Sequence, residues 1–225
     1  MNDIAAPPRI FDGVSDAAVA ALAGHLEHES FGPKKVVFVE GEPGEDLYFI
    51  SSGSAKVTHR TNDGRENLIA VVGPGDIIGE LALFDPGPRT STVTTLTRVS
   101  AMRMDRPALH DWICEHPEVG EQLLRMLARR LRRTNDTVCD LIFTDVPGRV
   151  AKRLLDLAMR FGSEKQGAIH VDHQLTQKEL AQLVGAVRET VNKVLSEFAE
   201  RGWIQVEGKT LIILEPAKLA RRARA

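Results

Sequence analysis

Apolar and polar positions follow two different periods along this chain. Between about residues 31 and 105 the apolar runs are short: Val36–Val39, Leu47–Ile50, Ala55–Val57, Leu68–Val72, Ser91–Val99 and Ala101–Met104. Turn formers separate them, at Gly41–Gly44, Ser52-Gly53, Asn62-Asp63-Gly64, Gly73-Pro74-Gly75 and Pro86-Gly87-Pro88. Strands punctuated every ~8–12 residues predict an antiparallel sandwich or barrel. Asp63-Gly64 between two such runs predicts a hairpin. Ahead of them, residues 11–24 read as a short helix, with Phe11, Val14, Val19 and Leu22 as its apolar face and Ser15 as N-cap.

From His116-Pro117-Glu118 the period lengthens, and the chain stays helix-compatible to about Phe143. Such a helix would be ~40 Å long at ~1.5 Å per residue. Leu124, Leu131 and Val138 are seven apart, and Leu127, Thr134 and Leu141 form a second series offset by three. That a/d seam predicts pairing with the same helix of a second subunit. The plainer alternative is an amphipathic helix lying on its own domain. Arg125, Arg129, Arg130, Arg132 and Arg133 on the other faces favour the pair.

Thr144–Gly148 breaks the pattern, with Asp145 suited to cap a following helix and Pro147 to its first turn. Val150, Leu154, Leu155, Leu157, Ala158 and Phe161 form that helix's stripe, and Gly162 ends it. Thr176-Gln177-Lys178-Glu179 is a capping-box pattern. Leu180, Leu183 and Val184 turn inward, Gly185 suits a left-handed stop, and a second helix starts at Arg188 with Val191, Val194, Leu195 and Phe198 buried. Two helices about a short Gly-containing turn are a helix-turn-helix. Trp203–Ile213 reads as two strands around Gly208, a wing. The predicted organisation is residues 1–116 (β domain), 117–143 (pairing helix) and 144–225 (winged helix-turn-helix).

Composition narrows the class. Hydrophobic content of 43% with 27% charged residues is globular. No apolar run approaches a membrane span. The start, Met1-Asn2-Asp3-Ile4, lacks the basic and apolar regions of a secretory signal. Cys114 and Cys139 cannot build a disulfide framework, so a reduced, cytoplasmic compartment is expected. The net charge of −2 hides an asymmetry: residues 1–119 hold 10 Lys/Arg against 18 Asp/Glu, residues 120–225 hold 19 against 13. A basic half predicts a polyanion partner there. Yet eight of its basic residues lie between Arg125 and Arg153, on the pairing helix and hinge.

Two segments carry chemistry. An Arg fork can bond guanine O6 and N7, and a carboxylate can accept from cytosine N4. Arg188 and Glu189 stand together at the start of the second helix, with Lys193 one turn on from Glu189. An ordinary solvated helix pair would show similar charges. In Ile78–Thr90, Gly79 opens a short helical turn, and Glu80 and Arg89 interrupt apolar or turn-forming residues. An Arg whose acidic neighbours in sequence are only Glu80 and Asp85 suits a phosphate, and a carboxylate suits a ribose hydroxyl. A Glu80–Arg89 ion pair satisfies the same pattern.

The order β domain, Gly-Glu-Leu…Arg-Thr, long helix, helix-turn-helix, wing resembles the catabolite activator (cyclic-AMP receptor protein, Crp/Fnr) family of bacterial transcription regulators over nearly the whole chain. Asp63–Leu68, Leu83–Thr90 and Leu141–Ala151 look like its actinobacterial branch. The resemblance implies an α+β chain: an antiparallel jelly-roll-like β-roll for a cyclic nucleotide, a dimerisation helix, and a winged helix-turn-helix for double-stranded DNA. It implies cyclic AMP as allosteric ligand, a homodimer, RNA polymerase as a further partner, and neither a metal, a membrane nor an enzymatic activity. Glu80 would hold the ribose 2′-OH, Arg89 and Thr90 the cyclic phosphate, and Gly79 and Leu81 would contribute backbone. Thr134 and Asn135 would meet the adenine amino group from the two subunits, which accounts for a polar residue in the seam. Arg188, Glu189 and Lys193 match base-reading positions; Thr176, Lys178 and Thr190 match phosphate-contact positions. Two departures stand out: Val187 where the family usually has a capping Ser, and Ser91 where a small Ala is common. The same fold could also serve as a nucleotide-sensing module that has lost DNA binding, or as a regulator needing no ligand.

Other signals are set aside. Gly208-Lys209-Thr210 lacks the earlier Gly of a phosphate loop, with Trp203 in its place. His110, Cys114 and His116 lack a fourth ligand of suitable spacing, and two cysteines cannot hold an iron–sulfur cluster. His170 and His173 are expected at the surface. No Gly-x-Ser-x-Gly elbow or paired catalytic carboxylate is present.

Overall fold

The computed structural model describes residues 14–22, 24–61 and 63–224. The chain divides into two compact units, the first ending at Arg132 and the second beginning at Arg133. The division falls inside one continuous helix, α4 (Pro117–Phe143).

The first unit starts with α1 (Asp16–Leu22). Ser15 caps it, its hydroxyl accepting from the Ala18 N–H at 3.3 Å; Phe11 lies outside the described residues. Among the described residues eight strands follow: β1 (Glu27–Phe31), β2 (Val36–Phe38), β3 (Asp46–Ser52), β4 (Ala55–Arg60), β5 (Glu66–Val72), β6 (Ile77–Ile78), β7 (Thr92–Thr95) and β8 (Val99–Asp105). A short helix, α2 (Leu81–Phe84), precedes β7, and α3 (Arg106–Glu115) follows β8. The strands form two antiparallel sheets, in the orders β1-β8-β3-β6 and β2-β7-β4-β5. This is the expected β-roll. The expected hairpin is β4–β5, where Gly64 takes φ +81° and its N–H reaches the Thr61 carbonyl at 2.8 Å. The run Ser91–Val99 forms β7 (Thr92–Thr95), with its last residue opening β8, which carries the run Ala101–Met104; the two strands join different sheets.

The run Leu47-Tyr48-Phe49-Ile50 is continuous because β3 is buried on both faces. Tyr48 and Ile50 point between the sheets, with Phe38, Val57, Ile78 and Val93. Leu47 and Phe49, one residue out of phase, meet Leu22, Trp112, Val119 and Leu123 of the helices. So α4 buries Val119 and Leu123 against its own unit while its heptad positions Leu124 and Leu131 stay 68% and 62% exposed. The two apolar series lie on different faces of the helix.

The second unit holds the end of α4, then α5 (Val146–Phe161), β9 (Gly162–Lys165), β10 (Ala168–Asp172), α6 (Gln177–Val184), α7 (Arg188–Glu200), β11 (Ile204–Glu207), β12 (Thr210–Ile213) and α8 (Pro216–Arg222). Its sheet runs β11-β12-β10-β9. Asp145 caps α5, accepting from the Gly148 N–H at 2.9 Å. Thr176 and Glu179 close the capping box, and Gly185 adopts φ +70°, ψ +43°. A side chain there would meet Leu141 at 2.5 Å, so glycine is required by conformation and by space. Arg149 fastens this turn to the hinge, donating to the carbonyls of Val184 (3.1 Å), Gly185 (3.2 Å) and Thr144 (2.7 Å). Gly208 (φ +63°) turns the wing between β11 and β12.

His173 is not at the surface. It is 8% exposed, and its Nδ1 accepts from the Leu175 N–H at 3.0 Å. Burial holds its pKa below the ordinary imidazole value. A depressed folded-state pKa means that the unfolded chain binds the proton more readily. This stabilisation is complete above the unfolded value of ~6.5 and is lost as pH falls through the folded value. Acidifying from about pH 7.5 to about pH 5.5 should therefore lower the thermal midpoint less in His173→Asn, which keeps an acceptor, than in the wild type. Equal losses in both proteins would refute the assignment.

No helix of the described residues is long and apolar enough to cross a membrane.

Candidate functional site

The first site lies where β6 meets α2 and the strand turn before β7. Glu80 and Arg89 are 1% and 5% exposed, which is rare for charged side chains without a dedicated partner. They do not pair with each other. Glu80 bonds Arg130 of α4, and Arg89 bonds the Asp46 carboxylate at the start of β3. Burial pushes the Glu80 pKa up, opposed by the attraction of Arg130.

Arg89 is fixed by further contacts. Its Nη1 donates to the Asp46 carbonyl at 2.7 Å and to the Gly79 carbonyl at 3.0 Å. Its guanidinium lies over the Phe38 ring, 4.3 Å from the centroid. Its Nε is buried and has no hydrogen-bond partner. A buried guanidinium N–H without an acceptor is costly, and an anion would satisfy it. Gly79 makes the arrangement possible. It takes φ +84°, and a Cβ there would stand 2.5 Å from Arg89 Nη1 and 3.0 Å from the Asp46 carbonyl oxygen.

Gly79, Glu80, Leu81, Arg89, Thr90 and Arg130 line one cavity with Ile69 and Ser91. Five of these, Gly79, Glu80, Leu81, Arg89 and Thr90, are the ligand contacts expected from the sequence. Arg130 was read only as a basic residue of the long helix, and Asp46 was not singled out. Arg130 could have been found, since it precedes Thr134 by four residues on one helix. Nothing near Asp46 in the chain announces it. The expected acidic neighbours of Arg89 were Glu80 and Asp85; the structure replaces them with Asp46, 43 residues away. The helix whose N-terminus was to favour an anion, α2, is four residues long, so its dipole adds little and the charge falls to Arg89. Thr134 and Asn135 belong to the second unit and are exposed on α4.

The second site is the start of α7. Arg188, Glu189 and Lys193 are exposed there, Thr190 is half-buried, and Thr176 and Lys178 are exposed at the start of α6. Val191, Val194, Leu195 and Phe198 bury the opposite side of α7. The helix thus offers only its polar side. Val187 occupies the N-cap with extended backbone and makes no side-chain cap bond, forgoing ~0.5–2 kcal/mol. Among the described residues no group of three or more His, Cys, Asp or Glu is placed to hold a metal ion.

Two family models match the chain. Residues 28–116 match the cyclic nucleotide-binding domain, and residues 148–222 match the Crp-like helix-turn-helix domain. A "CRP-like cAMP-activated global transcriptional regulator" of Mycobacterium tuberculosis is 59% identical over 224 residues, covering all of both chains. The "cAMP-activated global transcriptional regulator CRP" of Salmonella typhimurium is 30% identical over 203 residues, 88% of this chain and 95% of that one. Among solved structures, a CRP-family regulator of Thermus thermophilus aligns with TM-score 0.75 at 27% identity, covering 88% of this chain and 97% of its own. The c-di-GMP-responsive regulator CLP of Xanthomonas campestris aligns with TM-score 0.74 at 26% identity, covering 88% and 99%. The chain belongs to the Crp/Fnr family of transcription regulators, proteins that act through DNA binding rather than catalysis.

Proposed function

We propose that the protein is a homodimeric, cyclic-AMP-responsive transcription regulator that binds palindromic double-stranded DNA. The observation that carries the ligand assignment is Arg89: buried, backed by two carbonyls and an aromatic face, with its Nε–H lacking an acceptor. Arg89 and Thr90 would take the cyclic phosphate, Glu80 the ribose 2′-OH, and Gly79 and Leu81 backbone contacts. Thr134 and Asn135, from the two α4 helices, would meet the adenine amino group. The residues fit such a ligand, since one wall offers a buried donor edge and a buried carboxylate acceptor together.

The three working parts are residues 1–116, 117–143 and 144–225. Ligand contact with the seam would bias how the α4 helices pair, and thereby where the two α7 helices stand. Arg188, Glu189 and Lys193 would read bases, and Thr176, Lys178 and Thr190 would hold phosphates. Two recognition helices serve a palindrome only when one helical turn apart, ~34 Å. The ligand acts only to the extent that it prefers the DNA-competent pairing. In the cytoplasm, RNA polymerase is the partner a promoter-bound dimer would meet.

Selection from a random-site DNA library with and without cyclic AMP tests partner, ligand and coupling together. The expected result is enrichment of a palindrome that strengthens with cyclic AMP and weakens steeply as salt rises. Equal enrichment in both arms would favour a ligand-independent regulator, or one answering another nucleotide. No enriched site would leave a sensing module without DNA binding.

A further inference from the structure

The assignment of Arg89 to a phosphate has a consequence for Asp46, and the inference rests on that assignment. Asp46 places its backbone carbonyl on Arg89 Nη1 and its carboxylate on Nη2. We infer that the Asp46 carboxylate is a built-in competitor of the ligand's phosphate and sets how much cyclic AMP is needed to fill the site.

Arg89 does not need the carboxylate for its orientation. The two carbonyls on Nη1 and the Phe38 face hold the guanidinium plane without it. What the carboxylate adds is charge. A phosphate on the same guanidinium would lie within ~5 Å of it, and like charges at that separation repel appreciably even at an effective dielectric of ~20.

Nor can the carboxylate easily withdraw. Arg103 of β8 grips its other oxygen at 2.8 Å through Nε. Arg103 is itself shared with Glu27 at 2.8 Å and Glu29 at 3.8 Å. Arg103 is therefore divided among three carboxylates, Asp46, Glu27 and Glu29, and balances the Asp46 charge only in part. Arg103 both anchors the competitor and softens it.

Two substitutions should move affinity in opposite directions. Asp46→Asn keeps the backbone carbonyl and the shape and removes the charge; calorimetry with cyclic AMP should show binding about tenfold tighter. Arg103→Gln removes the countercharge and should weaken binding several-fold. Thermal melts confirm that each variant folds, and Asp46→Ser replaces Asp46→Asn if the latter does not. A purely structural role for Asp46 would weaken binding in both variants. That result, or unchanged affinity in Asp46→Asn, overturns the competitor. If the wild type binds and Arg89→Ala does not, while Asp46→Asn is unchanged, the competitor alone is wrong. If the wild type and Asp46→Asn both fail to bind cyclic AMP, the pocket assignment falls and the competitor falls with it.

Discussion

Arg89→Ala is expected to weaken cyclic-AMP binding by at least about 100-fold, measured by calorimetry on the full-length protein. Hydrogen bonds to charged groups contribute ~1.5–3 kcal/mol each, and breaking a desolvated charge pair costs ~2–5 kcal/mol. The substitution also leaves Asp46 facing the cavity with Arg103 as its remaining cation, which adds repulsion to the lost attraction. It also removes the donor from the part-buried Asp46 and Gly79 carbonyls, so the melting temperature should fall with the affinity. Arg89→Lys separates the two effects. It keeps a positive charge but loses the planar fork, and should bind measurably yet below wild type. Equal affinity in wild type and Arg89→Ala would remove the pocket assignment.

Leu131→Asp is expected to convert the proposed dimer to monomer at micromolar concentration and to abolish tight binding to a palindromic site. Leu124, Leu131 and Val138 are 68%, 62% and 50% exposed along one face of α4, whereas Val119 and Leu123 on another face are buried. Solvent exposure of a heptad series is costly unless a second helix covers it. Burying one Leu contributes ~1.5–3 kcal/mol, and twofold symmetry counts each position twice. The Asp would add two like charges at the seam. Sedimentation gives the mass, and fluorescence anisotropy with a whole palindrome and a half-site gives the DNA consequence. A variant that stays dimeric would place the interface elsewhere. Because Leu131 is not in the cavity, a monomer should retain the Glu80 and Arg89 contacts and lose only those supplied by the second subunit.

Local rules were legible wherever a residue's neighbours in the chain decide its conformation. The capping box at Thr176–Glu179, the left-handed stop at Gly185, the Asp145 cap and the Gly64 hairpin all formed as read. The run at Leu47–Ile50 was legible as a strand, while its burial on both faces comes from the sheets and helices packed around it. β1 was not legible. Its sequence, Glu-His-Glu-Ser-Phe, shows no apolar alternation, because it is an edge strand held by backbone pairing with β8. His173 was misread because its burial comes from packing around a loop that follows β10, and no period registers that.

For the site, the chain by itself determined which groups are unusual: Gly79, Glu80 and Arg89 within eleven residues, and Arg188, Glu189 and Lys193 on one helix face. Residue type and spacing suffice there, since turns and single helical faces are short-range objects. The partners were decided only by the tertiary structure. Arg89 meets Asp46 across 43 residues, Glu80 meets Arg130 across 50, and Arg103 joins Asp46 across 57. Strand pairing brings β3 beside β8, and the packing of α4 brings Arg130 to the cavity. Electrostatic partnership depends on distance in space and on burial, and neither quantity exists until the sheets have closed.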